Sequence, residues 1–147
     1  MKRKKMDKVA AVAKIAEQQS ARELNMVRQS HDEKSDRLEQ LVQFKEDYET
    51  SLETAAEKGM PAKQLQDYRL FMSKLNQAID KQSREVETTG QSLEEVREEW
   101  ISKSHRKSAL EHLLQAQRRE QLLAREKAEQ KESDENTLAR KSANREQ

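Results

Sequence analysis

The sequence predicts an all-α protein: two long helices folded into an antiparallel coiled-coil hairpin, the second helix overhanging the first. Three observations carry this expectation. Apolar residues recur every three and four positions over most of the chain, and residues that break helices are nearly absent. The only proline and one of the two glycines sit together in EKGMPAKQ, Glu57 to Gln64. One break in an otherwise continuous helical pattern turns the chain once, back on itself.

Composition narrows the class. With 33% hydrophobic, 3% aromatic and 39% charged residues in 147 positions, the chain lacks the apolar side chains of a rounded core. Long helices that each bury one narrow stripe fit this composition, and an ordinary globular enzyme does not. The 29 basic and 28 acidic residues leave a net charge of +1, so no global field recruits nucleic acid or an anionic membrane. Lys2, Arg3, Lys4, Lys5 and Lys8 nevertheless crowd the start, where a solvated charge run is the default reading. Apolar runs of a few residues are too short to span a bilayer or to form a secretory signal. Without cysteine there is no disulfide and no thiolate metal site, which suits a reducing cytoplasm.

The elements follow from the heptad repeat. The spacing predicts a single coiled-coil rod over 1–147: a helix over about 4–57, a loop at 58–61, a second helix over about 62–135 and a frayed tail over 136–147. With Leu65 at position a, 11 of the 15 a and d positions through Leu114 are apolar, a seam that a disordered polar tract would not sustain. From Leu24 to Ala55 seven of ten are apolar. Upstream of Leu24 the stripe slips: Val9, Val12 and Ala16 are helically spaced but one residue out of phase, which predicts a local change in winding. Past Ser133 the turn-favouring Ser, Asp and Asn residues predict the frayed end.

At the loop, Gly59 supplies the left-handed conformation that ends a helix, and Pro61 suits the start of the next. Facing seam residues then have numbers summing to roughly 120, a register inferred from the loop: Leu52 by Tyr68, Tyr48 by Met72, Leu41 by Ile79, Val27 by Leu93. Met1 falls near Arg119, so the end of the second helix projects beyond the first. Lys34, Lys45, Gln82, Lys103 and Lys107 occupy seam positions, either fixing register or reaching past it to water.

No glycine-rich phosphate loop, nucleophile elbow or ligand-spaced His/Cys/Asp cluster is present. His105 and His112 share a helical face without a third ligand. The residues give no catalytic group, no metal site and no cofactor. The aromatic side chains give a sharper signal. Phe44 and Phe71 both fall at g, on one flank of the pair, with Phe44 expected beside Ala78 and Phe71 beside Ser51. Either they drape over the seam and widen the core, or they form an exposed binding patch.

The segments LEQLVQFKEDYETSLETAAEKG, LQDYRLFMSKLNQAIDKQ and LEEVREEWISKS, with Leu41, Phe44 and Tyr48 before the loop, Tyr68 to Phe71 after it and Trp100 beyond, resemble the flagellar export protein FliJ over nearly the whole chain. The chain departs from that pattern at Gln82, where the family often has histidine, and at Phe44, where tyrosine is common. The resemblance implies a non-enzymatic component of the flagellar type III export apparatus, cytoplasmic and peripherally associated with the inner-membrane flagellar base. It implies a rod that enters the hexameric flagellar export ATPase, promotes its assembly and activity, and links it to the export-gate membrane protein, with export chaperones as further partners. Gate binding would fall to Leu41, Phe44, Tyr48, Phe71, Leu75 and Ala78. The ring contact would fall among Arg118, Arg119, Gln121, Leu122, Leu123 and Arg125. The chain would bind no nucleic acid, would not insert into the membrane, and would be a monomer when isolated. The alternative is an export chaperone or scaffold coiled coil without ATPase coupling.

Overall fold

A computed structural model describes residues 2–146. Two helices account for nearly all of them: α1, Lys2–Glu57, and α2, Ala62–Arg145. The two pack against each other, and no strand occurs among the described residues. The expected position of Met1 lies outside those residues.

The loop forms as its residues dictate. Gly59 adopts a φ of 89°, a region open to glycine and strained for other residues. Its N–H donates to the Ala56 carbonyl at 3.1 Å, closing the end of α1. Pro61 stands just before α2, and its carbonyl accepts the Leu65 N–H at 3.1 Å. Proline has no N–H to leave orphaned there.

The contacts divide the chain into two compact units, residues 1–17 with 103–147 and residues 18–102, where the sequence predicts one rod. In the unit of residues 18–102, each a and d position from Leu24 to Ala55 and from Leu65 to Trp100 is buried or half-buried. The helices run antiparallel there, with His31 facing Thr89. Polar side chains interrupt this seam and are satisfied. Gln82, 7% exposed, donates its Nε2–H to the Lys34 carbonyl at 3.0 Å. A buried amide is tolerated because it is hydrogen-bonded across the pair.

The unit of residues 1–17 and 103–147 corrects the expected slip. Its seam is Met6, Ala10, Ala13 and Glu17 against Lys103, Lys107, Leu110, Leu114 and Gln117, in the same three-and-four spacing as the rest of α1. Val9 and Val12 are exposed. Small side chains keep the phase here, so no change of winding is needed. Glu17 explains a lysine in the seam: Lys107 Nζ lies 3.7 Å from its carboxylate, a partly screened pair contributing on the order of 1 kcal/mol or less.

The expected end of the second helix is also corrected. α2 continues to Arg145, ten residues past the boundary near 135. Ser, Asp and Asn lie less than about 0.7 kcal/mol below Ala in helix propensity, too little to stop a helix set among Ala, Arg, Lys and Leu. The Thr137 hydroxyl is absorbed into the helix by donating to the Ser133 carbonyl at 2.9 Å. From Gln121 onward every described residue is exposed, so α2 outruns its partner.

Candidate functional site

The aromatic flank lies within the unit of residues 18–102. Phe44 and Tyr48 are one turn apart on α1, and Tyr68 and Phe71 are three apart on α2, so each pair projects toward the other helix. Four rings join into one cluster. Tyr48 lies 4.5 Å from Phe71 and 5.0 Å from Tyr68 between centroids, while Phe44 lies 6.1 Å from Phe71 edge-to-face and 6.3 Å from Tyr48. These separations are those of favourable aromatic pairs, each worth about 0.5–1.5 kcal/mol beyond area burial.

The placement differs in detail from the register inferred at the loop. The Tyr48 ring packs at a tilt against Tyr68, about one turn nearer the loop than Met72. Phe44 meets Phe71 directly, although the register sets it beside Ala78. Large rings span the turn between facing positions, so they pair by stacking geometry more than by position number.

The phenylalanines are neither fully covered nor fully open to water. Phe44 is 50% exposed and Phe71 38%, so each covers the seam with one face and meets water with the other. Tyr48 is half-buried under them. Desolvation raises its phenol above the ordinary value of 10.0, with Tyr68 and then Asp67 adding to the rise. Of the other expected gate residues, Leu75 is buried, Leu41 half-buried and Ala78 exposed. Leu41 and Leu75 belong to the seam and support the flank; the surface itself is Phe44, Phe71 and Ala78. Sequence reasoning missed Tyr68 as a member, because its d position assigned it to the seam alone. It also missed Leu70, which is exposed next to Phe71.

The second candidate set lies on α2 in the unit of residues 1–17 and 103–147. Arg118 is engaged: a guanidinium nitrogen lies 3.9 Å from the Asp7 carboxylate. Arg119, Gln121, Leu122, Leu123 and Arg125 are all exposed. Two adjacent leucines, 56% and 60% exposed, stand on a stretch of helix that buries nothing. Among the described residues no group of His, Asp or Glu is arranged to hold a metal ion, and no helix is long and apolar enough to cross a membrane.

No curated protein and no solved structure matches the chain. A family model described as flagellar FliJ protein matches residues 1–147, the whole length. The aromatic residues on either side of a Gly/Pro loop, and that match from end to end, lead to one conclusion: the chain belongs to the flagellar FliJ protein family.

Proposed function

We propose that the chain is a non-enzymatic coupling component of flagellar type III export, acting between the hexameric export ATPase and the export-gate membrane protein. Family membership supports the export apparatus as its setting. The observation that carries the finer reading is the stretch of α2 beyond Gln117, where Leu122 and Leu123 are exposed on a helix without a partner. Apolar side chains gain by burial, and a single helix cannot bury them itself.

In this reading Arg119, Gln121, Leu122, Leu123 and Arg125 enter the ATPase ring. An asymmetric helical element cannot contact six equivalent subunits alike. Contact with one subunit favours that subunit's conformation over its neighbours', which biases ring assembly and staggers hydrolysis around the ring. The chain supplies asymmetry and no chemistry. Phe44, Phe71 and Ala78, supported by Tyr48, Leu41 and Leu75, take the gate protein. The complex works on the cytoplasmic side, at the inner-membrane flagellar base.

The test is the ATPase rate of the cognate export ATPase with the full chain and with a truncation ending at Gln117. Stimulation by the full chain, lost on truncation, supports the ring contact. No effect of the full chain on rate or ring assembly moves the assignment to an export chaperone or scaffold without ATPase coupling.

A further inference from the structure

The start of α1 carries an exposed strip that the coupling role leaves unused. Val9, Val12 and Ile15 follow one another at helical spacing, and Val12 and Ile15 are 65% and 55% exposed. The seam does not explain them, because it runs along the neighbouring face through Met6, Ala10, Ala13 and Glu17. β-branched residues in water contribute nothing to a helix and lower its propensity. A row of them marks a surface that something else covers.

Charge identifies the covering surface. Lys5 and Lys8 stand one turn ahead of Val9 and Val12. Lys8, Lys103 and Arg106 border an open groove of about 390 Å³ that also touches Val9 and Val12. The nearby acids lie elsewhere: Asp7 pairs with Arg118, Glu17 lies in the seam against Lys107, and Glu111 occupies position e on the opposite flank of α2. Glu99 and Glu120 share the flank of Arg106, one heptad before it and two heptads beyond it, so the free cations of the strip are Lys5 and Lys8 of α1. The first turn of α1 contains no acidic residue, although acids there would complement the helix dipole and lysines oppose it. The lysines therefore do not serve helix stability.

Val12 and Ile15 project outward, and Ile15 does not line the groove. A helix seated in the groove would leave Ile15 in water, whereas a bilayer boundary covers the whole strip. We infer that the first 16 residues of α1 adsorb in the plane of an anionic lipid bilayer. The lysine ammonium groups meet headgroup phosphates while Val9, Val12 and Ile15 enter the acyl boundary. Adsorption requires no spanning segment, and it does not depend on the ATPase contact.

Flotation of the full chain with vesicles tests this, using phosphatidylcholine alone and an equal mixture of phosphatidylcholine and phosphatidylglycerol. The mixed vesicles are expected to carry the protein, added salt to weaken the binding, and neutral vesicles to leave it behind. Val12→Ser with Ile15→Ser, and separately Lys5→Glu with Lys8→Glu, should each lower partitioning about tenfold with unchanged helicity. Should the serine pair perturb the helix, Val12→Ala with Ile15→Ala repeats the test with better helix formers. Absence of binding to the mixed vesicles overturns the inference. So does a loss confined to the charge variants, which would make the strip irrelevant. Unchanged vesicle binding with weakened binding of the ATPase or the gate domain would assign the strip to a protein partner instead.

Discussion

His31 Nδ1 lies 2.9 Å from Thr89 Oγ1, a bond that crosses the seam between α1 and α2. The Thr89 hydroxyl has one proton, and its oxygen also lies 2.9 Å from the Glu85 carbonyl and 3.1 Å from the Val86 carbonyl. Carbonyls only accept, so the hydroxyl donates to its own helix and accepts from His31. The histidine must therefore carry its proton on Nδ1, in either its neutral or its charged form. Nitrogen NMR shifts of His31 should show the Nδ1–H tautomer. Thr89→Val, which keeps the shape and removes the acceptor, should cost about 1 kcal/mol in a urea melt.

The two glycines should respond in opposite directions to the same substitution. Gly59 has a positive φ, so Gly59→Ala should destabilise the hairpin by about 1–2 kcal/mol. Gly90 lies inside α2, and a methyl group there would meet the His31 ring at 3.5 Å, an ordinary contact. Gly90→Ala should stabilise the protein by about 0.5–1 kcal/mol by restricting the unfolded chain. Thermal melts of the two variants against the parent check both signs.

Tyr48 should make stability fall at high pH. Its phenol is raised above the ordinary value in the folded state, chiefly by desolvation, so the folded protein holds that proton more tightly than the unfolded chain. This stabilisation is complete below the unfolded pKa and is lost as pH rises through the folded one. Urea midpoints measured upward from pH 10.0 should decline, and Tyr48→Phe, which cannot ionise, should lose this part of the decline.

The hairpin was legible because its signals are local and repetitive. The Gly59/Pro61 break marks the turn, and the heptad from Leu65 to Leu114 marks a seam whose positions are all buried or half-buried. The start of α1 misled because apolar counting favours large side chains. Val9 and Val12 outweigh Ala10, Ala13 and Ser20, although Ser20 is only 3% exposed. At a close helix contact, phase matters more than hydrophobicity, and the small residues have the phase. The lysines of the seam could be placed but not explained, because Glu17 meets Lys107 only once the two helices are paired. The aromatic flank was visible as two g positions. Its membership depends on ring contacts with Tyr48 and Tyr68 across the two helices, which spacing along one helix does not determine.

In the proposed role one chain joins two partners through separate surfaces. The most direct measurement is co-sedimentation of the export ATPase with the cytoplasmic domain of the gate protein, with and without this chain. Both partners should sediment together only when the chain is present. Phe44→Ala with Phe71→Ala should lose the gate domain, keep the ATPase and leave helicity nearly unchanged, while truncation at Gln117 should lose the ATPase and keep the gate domain. Sedimentation of the two partners that is indifferent to the chain would contradict the account, and so would a double alanine variant that keeps both.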